Sequence, residues 1–135
     1  MRGMSEPILR TALSGLVAAI RRTEAAATNT ANASDVSRLK PKEGDAPAFQ
    51  PLLVSQTAQP GGGVKAEFRP VDPATLTAPG GDSPSADEDG LVAIPNVDLA
   101  EQRVDALSAQ RAFEANLKII RVASEMQDAV LDIKS

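Results

Sequence analysis

The chain has 135 residues, with 14 Lys+Arg against 18 Asp+Glu and a formal net charge of −4. It contains no His and no Cys, which excludes imidazole acid–base chemistry, thiol catalysis, disulfides and zinc sites built on either ligand. An acidic balance without Trp or Tyr speaks against a nucleic-acid surface, and 23 alanines beside only three Phe leave little for a dense interior.

Glycine and proline divide the chain into three. Residues 1–40 hold two of the nine Gly and one of the ten Pro; 41–95 hold all the others; 96–135 hold neither. The spacing predicts a helix from about Pro7 to Asn32, with Ser5 as cap, Glu6 at the positive helix end and Pro7 in the first turn. A seven-residue ladder runs through it. Ala12, Ala19, Ala26 and Ala33 hold one position; Leu9, Leu16, Thr23 and Thr30 a second; Leu13, Ile20, Ala27 and Ser34 a third. These three positions form one expected seam, with Arg21, Arg22 and Glu24 mostly outside it. Such a helix is marginal alone and is expected to pack against others.

The middle offers three strand candidates, Phe49 to Val54, Val64 to Val71 and Leu91 to Ile94, separated by the turn signals Gln59-Pro60-Gly61-Gly62-Gly63 and Pro79-Gly80-Gly81-Asp82. Pro70 and Pro73 confine the second strand to an edge. The stretch 72–88 is expected to be the least ordered. Its acidic run Asp87-Glu88-Asp89-Gly90 fails the EF-hand pattern at both ends and reads as a solvated turn. Gly61-Gly62-Gly63-Val64-Lys65 lacks the spaced glycines and the hydroxyl residue of a phosphate loop. No carboxylate pair has the setting of a glycosidase site. Catalytic, cofactor and metal residues are therefore not expected.

A second helix is predicted from Asp98 to about Lys134, opened by the capping-box spacing of Asp98 and Glu101. Ala109, Ala112, Asn116, Ile119, Ala123, Met126, Val130 and Ile133 form a three–four spaced stripe, widened by Phe113, Leu117, Ile120 and Leu131. Glu114 is placed to pair with Lys118. Nowhere do apolar residues run long enough for a membrane span. The segment from Arg2 through Thr11–Ile20 to Ala25-Ala26-Ala27 loosely imitates a signal peptide. Its charges and the uninterrupted ladder argue for an uncleaved helix.

At both ends the residues form recognisable motifs. These are Ala12-Leu13-Ser14-Gly15-Leu16 followed by Asn29-Thr30-Ala31-Asn32, the stretch Ala86 to Asp98, and Ser108-Ala109-Gln110-Arg111-Ala112-Phe113-Glu114-Ala115-Asn116. They resemble the signatures of the flagellar rod and hook family, and the last two point to its proximal-rod branch. Phe113 stands where that branch has Tyr, Lys42 to Phe49 replaces a Gly-Gly-Pro-Tyr-Arg-Arg stretch, and 50–84 match weakly.

The resemblance implies a mainly α fold. Two long terminal helices (within 1–40 and 96–135) form a coiled-coil-like unit, with a small, partly disordered β/loop insertion (41–95) between them. It implies a non-enzymatic subunit that leaves the cell by the flagellar export apparatus without a cleaved signal peptide. Such subunits stack helically in the periplasmic rod of the basal body and transmit torque. The implied partners are copies of the chain, other rod proteins, the export apparatus and a basal-body adaptor, with no cofactor, nucleic acid, small-molecule substrate or membrane span. Residues expected to carry assembly are Leu13, Ser14, Gly15, Leu16, Ile20, Asn29 and Asn32, then Asn96, Val97 and Asp98, then Ala109, Arg111, Phe113, Ala115, Asn116 and Ile120. Gly15 would permit close backbone approach. Asn29, Asn32 and Asn116 would fix register, a helix-end cap being equally open for the first two. Phe113 reads as ordinary core rather than a special contact. The alternatives are another rod-family subunit resembling rod protein B, or a secreted coiled-coil adaptor.

Overall fold

A computed structural model describes residues 2–134. Two long helices enclose two β-hairpins in the order α1 (Arg2–Ala31), β1 (Leu52–Ala58), β2 (Val64–Pro70), β3 (Thr75–Pro79), β4 (Leu91–Pro95) and α2 (Leu99–Ile133). At 1.5 Å per residue the helices are roughly 45 Å and 52 Å long. They lie side by side and antiparallel. Ser5 Oγ accepts from Gln127 Nε2 (2.6 Å), Gly15 faces Asn116, Arg22 meets Asp105 (3.4 Å), and Asn29 Nδ2 donates to Gln102 Oε1 (3.0 Å).

Helix α1 starts earlier than expected. Ser5 lies inside it, engaged by α2 rather than capping, and Pro7 forfeits one intrahelical bond instead of sitting in the first turn. Helix α2 opens as expected. Asp98 Oδ1 accepts from the N–H groups of Ala100 (2.8 Å) and Glu101 (3.1 Å). Glu114 accepts from Gln110 Nε2 (3.1 Å) in place of the expected Lys118 pair.

The contact between the helices is made by small residues. Ala12, Ala19 and Ala26 of α1 and Ala109 and Ala123 of α2 are buried. This corrects the three-position seam. Leu13 and Ile20 are about half exposed, at 53% and 45%, while Arg22 reaches into the contact to meet Asp105. Side chains without bulk allow two backbones to approach, and the larger apolar groups are displaced to the flanks. The α2 stripe is buried or half-buried at Ala109, Ala112, Asn116 and Ala123, but Ile119, Met126, Val130 and Ile133 are exposed. The row of Ala109, Asn116 and Ala123 faces α1, whereas the row three residues on, Ile119, Met126 and Ile133, lies on the flank.

Strands β1 and β2 form an antiparallel hairpin packed along α1, with Val54 opposite Phe68 and Gln56 opposite Ala66. β1 begins and ends later than expected, Leu52–Ala58 in place of Phe49–Val54. β3 was not expected at all. It lies inside 72–88, the stretch read as least ordered, and pairs with β4, Thr77 opposite Ala93. Its Thr-Leu-Thr-Ala run is short and ends on proline, so only the ladder with β4 defines it. Ser37 and Ala93 exchange backbone hydrogen bonds at 2.9 Å, tying the chain after α1 to β4, while Val92 is buried at 1% exposure.

Candidate assembly interface

The residues expected to carry assembly fall into two groups. The first is engaged within the chain. Asn29 is 2% exposed and joins three elements: its Nδ2 donates to Leu52 O (2.7 Å) and Gln102 Oε1 (3.0 Å), and its Oδ1 accepts from Leu52 N–H (2.9 Å). It is therefore neither a helix cap nor a contact left open for a neighbour. Long-range pairing with β1 was invisible in the sequence, where only the helical position could be read. Asn32 does act at the helix end, donating from Nδ2 to Thr28 O (2.8 Å).

Gly15 permits close approach, but of a side chain. A Cβ there would meet Asn116 Oδ1 at 2.6 Å. Asn116 in turn donates to Ala112 O (2.8 Å), so its amide is satisfied against α2 while filling the space above Gly15. Ala109 is fully buried in the same contact, at 0% exposure. Asn96 donates from Nδ2 to Pro73 O (2.9 Å) and from its backbone to Ala74 O (2.9 Å), Val97 is half-buried, and Asp98 caps α2.

Ser14 has a role that the motif alone did not reveal. Its Oγ donates to Thr11 O (2.7 Å) and accepts Val64 N–H (3.0 Å), which docks the β1–β2 turn on α1. Gly61, Gly62 and Gly63 all have φ near +90°, a conformation that glycine adopts without steric cost. The docked turn comes close enough for Arg10 Nη2 to donate to Gly61 O (2.6 Å). Farther along α1, Arg21 donates to Ala66 O and stacks its guanidinium 5.7 Å from the centre of the Phe68 ring. Arg10 and Arg21 were not among the expected residues.

The second group faces outward. Leu13, Ile20, Arg111 and Ala115 are exposed, and Leu16, Phe113 and Ile120 are half-buried. Phe113 is no interior residue: with Ile20 and Leu107 it lines an open groove of 510 Å³ between the helices, rimmed by Glu24 and Arg103. Leu13, Val17 and Ile20 form an outward stripe on α1; Ile119, Val122, Met126, Val130 and Ile133 form one on α2. Among the described residues, no helix is long and apolar enough to cross a membrane, and no cluster of acidic side chains has the makings of a metal site. The hydrogen bond and charge of Lys65 hold the exposed Glu67 carboxyl below the usual carboxylate value.

Residues 88–133, which span the end of the acidic turn, β4 and all of α2, match the family described as "Flagellar basal body rod FlgEFG protein C-terminal". Similarity over most of the chain is more specific. The flagellar basal-body rod protein FlgC of Salmonella typhimurium is 33% identical over 123 residues, covering 84% of this chain and 85% of the relative. FlgC of Yersinia enterocolitica is 32% identical over 119 residues with the same coverage, and FlgC of Borreliella burgdorferi is 36% identical over 70 residues, 52% of this chain and 41% of its own. The match therefore takes in both helices and the insertion, and this chain belongs to the FlgC family of flagellar basal-body rod proteins.

Proposed function

We propose that this protein is a structural, non-catalytic subunit of the flagellar proximal rod. It assembles through its two helices with copies of itself and with other rod subunits, and carries torque across the periplasm as part of an interlocked shaft. The observation that carries this reading is the inverted distribution of side chains in the helix pair. Alanine and glycine fill the contact between the helices, while Leu13, Val17, Ile119, Val122 and Met126 stand 46–61% exposed on its flanks. Contiguous apolar stripes of this kind mark surfaces made for protein neighbours.

Antiparallel pairing on small residues at three–four spacing supports a coiled-coil-like unit, the geometry in which several such pairs can bundle lengthwise. The family resemblance adds the flagellar export apparatus and a basal-body adaptor as partners. Deletion of the gene, followed by imaging of isolated basal bodies, tests the assignment. Rods should be absent or truncated in the deletion strain and restored by the full chain; intact rods without the protein would overturn it.

A further inference from the structure

Every strand of the two hairpins has one free edge, and the fold closes these edges unequally. In the β1–β2 ladder, alternate residues turn their N–H and C=O away from the partner strand. On β2 these groups are taken: Ser14 Oγ accepts from Val64 N–H (3.0 Å) and Arg21 donates to Ala66 O, beside the charges of Lys65, Glu67 and Arg69. On β4, Ser37 exchanges both backbone bonds with Ala93, and Asp87 engages both backbone groups of Leu91. β3 is short and ends on Pro79. β1 is different. Asn29 completes Leu52, but among the described residues nothing pairs with the outward groups of Val54 and Gln56. From Leu52 to Ala58 the strand has neither charge nor proline, the features that ordinarily guard an edge.

The open edge adjoins an acidic cleft. Leu52 and Val54 line one side of a 510 Å³ space whose other side is formed by Asp98, Glu101 and Asp105 at the start of α2, with Arg22 contributed by α1. Three carboxylates stand there against one guanidinium. Arg22 meets Asp105 at 3.4 Å and Asp98 caps α2, which leaves Glu101 exposed and with no ion-pair partner among the described residues. A strand added to β1 would put the residue opposite Val54 on the face that carries buried Ala66, toward the helices and this cleft. A positive side chain suits that position. We propose that the free edge of β1 takes up an extended segment of a partner protein as a third strand, one Lys or Arg of that segment reaching Glu101 and Asp105. Backbone bonds to Val54 and Gln56 supply affinity, and the cleft selects the charge. This surface is separate from the outward apolar stripes on which the rod reading rests.

The probe is a capped peptide, Thr-Val-Lys-Val-Thr, titrated into the full chain while its amide signals are followed by NMR. Binding should move the signals of Val54, Gln56 and Glu101 and reach half-saturation at or below about 1 mM. Glu in place of the peptide's Lys should remove measurable binding, and Glu101→Gln in the protein should weaken binding of the Lys peptide about fivefold. With Lys opposite Val54, the Lys N–H faces β1 and both Val N–H groups face away. N-methylation of the Lys amide should therefore abolish binding, whereas N-methylation of both Val amides should not, a contrast that leaves the protein unaltered. No binding at that concentration, Lys and Glu peptides binding alike, equal loss from either pattern of N-methylation, or shifts confined to other residues would overturn the proposal. So would Val54 and Gln56 signals that change with protein concentration alone, since a second copy would then close the edge. None of these outcomes bears on the deletion test of the rod reading.

Discussion

Asn29 shows how much one buried amide can organise. Its carboxamide completes both backbone groups of Leu52 and binds Gln102, so α1, β1 and α2 meet at a single side chain. Asn29→Ala strands Leu52 N–H and C=O where water does not easily replace the partner, and should cost about 2–3 kcal/mol. Urea unfolding should show this as a lower midpoint with an unchanged slope. At Gly15 the sign of the effect depends on a second residue. Gly→Ala inside a helix ordinarily gains about 1 kcal/mol, yet here the new Cβ would collide with the Asn116 amide at 2.6 Å. Gly15→Ala alone should destabilise the fold by about 1–2 kcal/mol, whereas Gly15→Ala with Asn116→Ala should recover most of that loss. Additive behaviour across this double-mutant cycle would mean that the two residues do not meet. The asparagines and Gly15 could be singled out from the motif, but their partners lie across the chain, at separations a local pattern does not encode.

The elements were more legible than their contacts. Helix α2 followed from an apolar periodicity uninterrupted by Gly or Pro and from the Asp98 cap, and β2 and β4 from apolar runs bounded by turn residues. Three features were missed for identifiable reasons. The early start of α1 depends on α2 engaging Ser5, β3 depends on its ladder with β4, and the interior face of the helices depends on size rather than hydrophobicity. Because large apolar residues also follow the ladder, periodicity marked their rows as core although the small rows fill the contact. The attachment of the β1–β2 hairpin to α1 is likewise tertiary, and Ser14 is its fastening point. Ser14→Ala leaves Val64 N–H without its acceptor and should weaken the docked turn by about 1 kcal/mol. Native-state hydrogen exchange should quicken at Val64 and its neighbours while amides in the middle of α2 keep their protection. Equal acceleration in both places would show that the hairpin and the helix pair open as one unit.

At the scale of the whole molecule, the fold keeps its small residues inside and leaves many of its large apolar ones exposed. Apart from Val92, the buried apolar residues Ala12, Ala18, Ala19, Ala25, Ala26, Ala66, Ala93, Ala109 and Ala123 contribute little transfer free energy each. Stability and assembly should therefore be separable by substitution. Val17 and Val122 are each 49% exposed on the outward stripes, so replacing both by Gln removes little buried apolar surface from the isolated chain. The double variant should unfold within about 0.5 kcal/mol of the parent at each site, the usual range for surface substitutions. In cells it should fail to enter rods, because every neighbour meeting those stripes would have to bury two unpartnered amides at a cost of about 1–3 kcal/mol each. That cost recurs with each subunit added, so swimming should suffer far more than the thermal midpoint of the purified protein. Normal motility together with normal incorporation would mean that these stripes face solvent in the assembled shaft, and that subunits meet through some other surface.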